Sequence, residues 1–347
     1  MKFDHTSPNA DKERPQWYGK PYYSLDAWCK NTYGRKLYKV ALESGCSCPN
    51  RDGTLGYGGC IFCSAGGSGD FAAPCNDSVR TQIDQGKLLL QNKWLKNSSK
   101  NATVSSADEP DLIAYFQSYT NTYGDPDRLT ALFSEALDQP DVAGISIGTR
   151  PDCLQNEMLE NLVLLKETYS DKFIWIELGL QTIHDRTAEL IHRGYPTAVF
   201  IQAMEKLQQC GLPVIVHTIL GLPGEDKEDI LATMQALNKL HPFGIKLQLL
   251  HFLRGTALAD LYDAGKASDL TKEEYLELVT DCIAVLDPSI CIHRITGDGP
   301  KDLLIAPRWS LNKRDVLNSI HALLKKRGIY QGKGRNDYHD PGTSDTL

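Results

Sequence analysis

No stretch of this 347-residue sequence approaches the roughly 20 consecutive apolar residues that a membrane-spanning helix needs. The start, Met1-Lys2-Phe3-Asp4-His5, carries no apolar run of the kind a secretory leader has. A membrane or secreted protein is therefore not expected, and the plain expectation is cytoplasmic. Positive charge is also in short supply: 37 Lys and Arg face 44 Asp and Glu, giving a formal net charge of −7 and a pI near 5.7. That balance holds no global signal for nucleic acid, so an RNA partner would need a locally basic face. The best local patch is Lys325-Lys326-Arg327, which is also what an ordinary charged helix end looks like. A disulfide framework is missing too. Of ten cysteines, Cys46, Cys48, Cys60 and Cys63 crowd together, while Cys29, Cys75, Cys153, Cys210, Cys282 and Cys291 are scattered as ordinary thiols. This distribution suits a reducing compartment and one metal centre.

What is present is an ordinary core-forming composition, 41% hydrophobic and 23% charged. The chain is long enough for one barrel-sized domain with extensions, or for two domains. After a polar start, short β-rich runs at 36–43, 112–119, 142–148, 173–180, 213–220 and 244–252 alternate with amphipathic segments at 79–96, 127–137, 156–168, 197–210, 226–240 and 257–263. Strands alternating with helices predict parallel strands joined by right-handed crossovers, hence an α/β fold. Six units are too few for a closed eight-fold barrel. An open or partial barrel is favoured, with a doubly wound sheet as runner-up. Residues 1–20 read as a flexible arm, 21–265 as the barrel with its cysteine loop at 46–64, 266–330 as an α+β extension flanking it, and 331–347 as a disordered tail.

In such a fold the loops leaving the strand C-termini share one mouth, and unusual residues collect there. The first strand leads to Cys48-Pro49-Asn50-Arg51-Asp52-Gly53 and Cys60-Ile61-Phe62-Cys63. Thiolates are soft ligands for zinc or for iron–sulfur iron, and a Gly-rich loop lets several converge. A structural zinc site would need a fourth ligand, from Cys46 or His5. A three-cysteine 4Fe–4S cluster needs none. At another strand end, Glu177, Gln181 and Arg193 supply a carboxylate, an amide and a guanidinium able to hold the hydroxyls and carboxylate of a zwitterionic nucleoside–amino acid, or else a strand-edge ion pair.

The Cys60-x-aromatic-Cys63 pair resembles the second half of the radical S-adenosylmethionine (SAM) signature, although the usual three-residue spacer before it is eleven residues here. That long spacer, with Cys-Pro-Asn-Arg-Asp-Gly, resembles the YhcC/YtqA-like branch, as do Tyr115 to Tyr123 and Gly148-Thr149-Arg150-Pro151-Asp152. Glu177-Leu178-Gly179-Leu180-Gln181, Arg193-Gly194, Gly244 to Leu247 and Arg254-Gly255-Thr256 are similar, more weakly, to elements of the elongator catalytic subunit. The resemblance implies a partial (β/α)6 TIM-like barrel of the radical SAM type with a C-terminal α+β extension.

It further implies that Cys48, Cys60 and Cys63 bind a 4Fe–4S cluster and that Phe62 packs beside the adenine of SAM. Tyr119, Thr120, Asn121 and Thr122 would receive the methionine amino group, with Thr149 nearby. Glu177, Gln181 and Arg193 would face the ribose and carboxylate, and Leu220-Gly221 would let the backbone approach the adenine. His251 is a candidate for proton transfer. Arg150, Asp152, Arg254, Arg294, Asp298 and Lys313 are candidate substrate contacts. The chemistry implied is reductive SAM cleavage to a 5′-deoxyadenosyl radical that abstracts hydrogen, fed by a low-potential donor such as flavodoxin or ferredoxin. YtqA-like members imply a tRNA partner, with 5-carboxymethylaminomethyl-(2-thio)uridine at the wobble position converted to the 5-aminomethyl form. A metabolite or peptide substrate, or a non-enzymatic zinc or iron–sulfur protein, are the alternatives.

Overall fold

In the computed structural model, residues 17–67, 78–95, 111–297 and 299–334 are described. The apolar runs form parallel strands β1 (Tyr38–Leu42), β2 (Leu112–Phe116), β3 (Val142–Thr149), β4 (Phe173–Gln181), β5 (Val214–Leu220) and β6 (Gly244–Leu249). They pair in chain order as one curled sheet, with helices α2 (Val79–Leu95), α3 (Pro126–Leu137), α4 (Asn156–Thr168), α6 (Thr197–Gln209) and α7 (Lys227–Leu240) in the crossovers. A short α5 (Asp185–Leu190), not foreseen from the sequence, precedes α6. The fold is the expected α/β partial barrel. No helix among the described residues is long and apolar enough to cross a membrane.

Side-chain alternation divides each strand between two environments. Leu42, Phe116, Ile147, Ile176, Val216 and Leu247 point outward into the main core beneath the helices. The alternate positions point into the barrel. At its lower end, Ile113, Trp175 and Ile215 meet Trp28 of α1 (Leu25–Tyr33), which closes the bottom with edge-on contacts to Trp175 and Phe173 at 4.7 and 5.4 Å. Above this apolar plug the inward positions become polar.

The sheet is wider than the sequence suggested. Beyond β6, the chain forms β7 (Phe252–Leu253), α8 (Ala257–Asp263) and α9 (Lys272–Val285). Then β8 (Cys291–Arg294) pairs in parallel with β6 as a seventh strand, where a flanking extension was expected. Ile292 of this strand and Ile290 just before it are buried in the main core. A small antiparallel pair of β7 with β9 (Leu304–Ala306) and helix α10 (Lys313–Arg327) complete the C-terminal part. The start of the supposed tail is also built in. Gln331 is buried, accepts from the Tyr23 amide at 2.9 Å and donates to the carbonyls of Asp287 and Ile290 at 2.6 and 2.8 Å. Most of the arm at 1–20, with His5, and residues 335–347 lie outside the described residues, as do Cys75 and Asp298.

Gly144 on β3 lets two strands close up: a Cβ there would sit 2.4 Å from the Phe173 carbonyl oxygen. Gly144→Ala is therefore expected to cost about 1–3 kcal/mol through forced strand displacement. A urea midpoint identical to that of the wild type would contradict this.

Candidate active site

The spacer between Cys48 and Cys60 folds onto itself. The amides of Arg51 and Asp52 donate to the Cys48 carbonyl at 2.8 and 3.2 Å, and the Leu55 amide donates to Pro49. The Gly59 amide donates to the Asn50 carbonyl at 2.8 Å, closing the loop and returning the chain beside its start. Gly59 has φ +80° and its missing side chain makes room for Arg51, whose Nε would lie 2.8 Å from a Cβ. Arg51 in turn donates to the Cys63 carbonyl at 3.1 Å. The Ile61 amide donates to Ile191 and the Ile61 carbonyl accepts from Leu258, fixing the loop between two other loops of the mouth.

These turns bring Cys48, Cys60, Phe62 and Cys63 onto the rim of a cavity of about 270 Å³ inside the barrel. Cys60 and Cys63 are hydrogen-bonded to each other. The bond from Cys63, helped by Arg150, lowers the Cys60 thiol to about 7 against the effect of burial. Asn50 Nδ2 points at Cys60 Sγ from 3.8 Å and donates to the His192 carbonyl at 2.6 Å. Cys46 lies elsewhere: its sulfur is 3.6 Å from Arg128 Nη2 and is not on the cavity wall. Among the described residues no set of three or more ligating side chains is already drawn together as a metal site.

Tyr119 and Thr120 continue the wall, the Tyr119 hydroxyl donating to the Ala65 carbonyl at 2.6 Å and the Thr120 amide donating to Ser47. Gln181 completes it from the opposite side. A register shift between Gly179 and Gln181 interrupts β4, and Gln181 takes φ +64°, a rare conformation for a non-glycine residue. Its Oε1 is buried on the cavity wall with no hydrogen-bond partner, an acceptor that a bound hydroxyl or amine would satisfy.

Below the thiols lies a layer of charge. Glu177, 1% exposed, accepts from Lys39 Nζ at 2.7 Å, Ser146 Oγ at 2.6 Å, His217 Nε2 at 2.6 Å and Lys246 Nζ. Lys246 also donates to the Tyr115 hydroxyl at 3.1 Å. Burial disfavours ionisation of Glu177, but Lys246, Lys39 and His217 outweigh it and hold the carboxyl well below its usual range. Burial and the neighbouring Lys246 pull His217 down to about 4, so it is the neutral ring that donates to Glu177. Arg294, beside Lys246 in the β6–β8 register, lines the same space.

This cavity, open at the strand C-termini and rimmed by three thiols, can be set beside known proteins. The Radical SAM superfamily profile matches residues 48–237, and the Radical_SAM C-terminal domain profile matches 242–326. The chain belongs to the radical SAM superfamily. Within it, an uncharacterized Bacillus subtilis protein, YtqA, is 42% identical over 314 residues, covering 90% of this chain and 92% of its own length. The tRNA uridine(34) acetyltransferase of Methanocaldococcus jannaschii is 24% identical over 188 residues, 53% of this chain and 33% of that enzyme. Among solved structures, the archaeal Elp3 of Methanocaldococcus infernus shares the fold with a TM-score of 0.61 at 15% identity, covering 85% of this chain and 64% of that one. Escherichia coli YhcC is 33% identical over 297 residues, 86% of this chain and 90% of its own length, so the chain is a radical SAM enzyme of the YtqA/YhcC group, and membership of the radical SAM superfamily implies a 4Fe–4S cluster and SAM.

For that chemistry the mouth gathers Cys48, Cys60, Cys63, Phe62, Tyr119, Thr120, Thr149, Arg150, Glu177, Gln181, His251 and Arg294. Other candidates are placed differently. Arg193 is not on the cavity wall: it is 1% exposed and spends its guanidinium on the carbonyls of Leu180, Thr182 and Tyr195, on Thr197 and on Asp185. Asn121 ties the Phe116 and Gly148 carbonyls to Ser44, and Thr122 bonds Thr149 and the Cys153 carbonyl. Leu220 points outward into the core and Gly221 abuts Leu270, off the cavity. Asp152 is paired with Arg150, while Arg254 and Lys313 are exposed away from the wall. His251 is on the wall but is hydrogen-bonded to Ser310 at 3.2 Å. Arg327 of the basic patch is paired with Glu277 and Asp281.

Arg193→Met should lower stability by about 3 kcal/mol or more, because several buried carbonyls lose their donor at once. SAM binding per folded molecule should be retained. A fully stable variant that had lost SAM binding would return Arg193 to a ligand role.

The missed residues are Lys39, Ser146, His217 and Lys246. Their signal was a charged or polar side chain in mid-strand beside apolar neighbours, as in Ile145-Ser146-Ile147 and Ile245-Lys246-Leu247. In a strand buried on both faces such a residue has to point into the barrel.

Proposed function

We propose that this enzyme modifies the wobble uridine of tRNA, converting the 5-carboxymethylaminomethyl side chain to 5-aminomethyl. The observation that carries the radical SAM part is that three thiols and the unpartnered Gln181 Oε1 line one cavity. The residues present fit the group the family uses. Cys48, Cys60 and Cys63 would hold a 4Fe–4S cluster through soft thiolate donors, and among the described residues no fourth cysteine stands on the wall to close it. When bound, cluster and SAM supply one-electron cleavage of the sulfonium and hydrogen abstraction by a 5′-deoxyadenosyl radical.

The chain's own contribution is placement and exclusion. Phe62 offers an aromatic face to the adenine, the Tyr119–Thr120 turn offers backbone groups, and Gln181 Oε1 accepts from a ribose hydroxyl or the amino group. Ile219, Leu249, Leu250 and Leu253 keep the upper wall apolar, which shields a reactive intermediate from water. Support for a tRNA substrate comes from the acetyltransferase relative, whose name places it at uridine 34. The cysteine loop also presents Tyr57, 85% exposed, a surface on which an unstacked base can rest. Comparing modified nucleosides in tRNA from cells with and without the protein, in a background lacking redundant pathways, tests the substrate. Accumulation of the carboxymethylated species is expected on deletion, and unchanged wobble uridines would remove the tRNA reading.

A further inference from the structure

A small second core joins the cysteine loop to the C-terminal part of the chain. In it Ile61 packs with Phe252 of β7, Leu258 of α8 and Ala306 of β9, with Phe62 against them, and the Leu258 amide donates to the Ile61 carbonyl at 2.9 Å. The β7–β9 pair is thereby fixed to the loop that carries the thiols, as a lip on the mouth. Three basic residues leave this lip, each within two residues of a group at the cavity wall. Arg254 follows Leu253, which lines the cavity. Lys301 comes two residues after Gly299, where a Cβ would lie 3.3 Å from the ring of His251. Arg308 comes two residues before Ser310, whose hydroxyl is hydrogen-bonded to His251, and donates to the Leu304 carbonyl of β9 at 3.4 Å. His251 itself is on the wall.

All three cations are exposed, none lines the cavity, and none is held in an ion pair. Other surface cations do find carboxylates: Arg35 pairs with Asp111, Lys87 with Asp141 and Arg186 with Asp229. Segments 252–254 and 299–308 hold these three cations against one carboxylate, Asp302, in a chain whose 44 acids outnumber its 37 bases. Positive charge gathered outside a cavity suits a substrate whose reacting group enters while its anionic groups stay outside. Tyr57, exposed on the same cysteine loop, adds an aromatic face. Cations combined with an exposed ring fit a polynucleotide, whose phosphates and bases use both, better than an acidic protein.

We infer that the β7–β9 lip is the phosphate-binding face of the enzyme, with Arg254, Lys301 and Arg308 meeting the backbone of the RNA whose base enters the mouth. The inference rests on the tRNA reading and deepens it by naming the surface that holds the substrate. It supplies the local basic face that an acidic chain needs for RNA, and places it away from the patch at Lys325-Lys326-Arg327. That patch ends the fifteen-residue α10, about 22 Å along the helix from its start near the mouth, and its Arg327 is already paired with Glu277 and Asp281.

The test uses the full-length protein, reconstituted with its cluster, and bulk tRNA from cells lacking it, with affinity measured across a series of salt concentrations. The triple variant Arg254→Gln, Lys301→Gln, Arg308→Gln is compared with Lys325→Gln, Lys326→Gln, Lys333→Gln, which removes the same charge at the far end of α10. The lip variant should bind tRNA about tenfold or more weakly, and its slope of log affinity against log salt should be shallower by about 2 to 3. The α10 variant should bind as the wild type does, and both should keep the wild-type melting midpoint and SAM affinity. Equal loss in the two variants would reduce the effect to net charge and overturn the lip. A lip variant that binds tRNA normally but is reduced more slowly by an acidic flavodoxin would make the face a protein-docking site and also overturn it. The two readings fail separately. If deletion alters wobble uridines while the lip variant binds tRNA like the wild type, the lip falls and the tRNA reading stands. If deletion leaves wobble uridines unchanged while tRNA binding still depends on the lip, the wobble reading falls and the RNA-binding face stands.

Discussion

Cys60→Ala should assemble no stable cluster: the iron–sulfur absorption of the reconstituted protein disappears, and formation of 5′-deoxyadenosine from SAM falls to the protein-free background. The expected loss exceeds the roughly 10- to 100-fold typical of removing a partner that merely supports a ligand. Cys60 is the more acidic of two hydrogen-bonded thiols and is approached by the Asn50 amide, so it is already drawn toward the thiolate that binds iron. Cys46→Ser provides the contrast. Its sulfur sits against Arg128, outside the cavity, and the variant should retain the full absorption. Iron and sulfide analysis of both variants checks the pair. A Cys46→Ser protein unable to assemble iron would mean that the ligand set has been misassigned.

Glu177→Ala should be among the most destabilising single substitutions in the chain. It leaves Lys39 and Lys246 facing each other inside the barrel with no counter-charge. Removing one partner of a buried ion pair costs about 3–5 kcal/mol. For a domain of this kind that is a fall in melting midpoint on the order of 10 °C. The double variant Glu177→Gln with Lys246→Met, which removes charge from both sides, should recover part of the loss. A Glu177→Ala protein that melts like the wild type but binds SAM poorly would restore the ligand role the sequence suggested.

The same layer sets an acid dependence. Glu177 is held ionised, so its contribution is full above about pH 4.5 and is lost as pH falls below that. His217 is held neutral, with its pKa moved from 6.5 to about 4. Between those values the unfolded chain takes up a proton that the folded chain refuses, and stability falls by about 3 kcal/mol as pH drops. Denaturant midpoints between pH 7 and pH 4 should therefore slope more steeply in the wild type than in His217→Gln. Parallel slopes would show that His217 does not titrate in this window.

Much of the fold was legible because the elements repeat two strong periods. The helices at 156–168 and 257–263 and the strands β3 to β5 fall within a residue or two of where apolar spacing and flanking Gly, Pro and Asp placed them. The seventh strand was less so. Cys291–Arg294 is short, ends in His293 and Arg294, and follows a helix of the extension, so local pattern alone did not tie it to β6. At the site, the residues that gathered were those carried by a compact motif, the cysteine loop above all. Those that did not gather failed on direction, which a strand end does not declare. Leu220 follows Ile215, His217 and Ile219 on β5 with opposite parity and turns to the helices. Arg193 was assigned by its charge, but a long side chain in a loop beneath the mouth found five protein acceptors before any ligand. The charge layer was hidden by the reverse problem: Lys39, His217 and Lys246 each stand alone in their strands and become a group only when the barrel curls.

The most direct measurement is anaerobic: the reconstituted wild-type protein, with a full complement of iron and sulfide, is mixed with SAM and a low-potential reductant and assayed for 5′-deoxyadenosine and methionine. Reductant-dependent formation of both, abolished by Cys60→Ala, is the predicted result. A fully loaded protein that leaves SAM intact under these conditions would contradict the assignment of the cavity as a radical SAM active site.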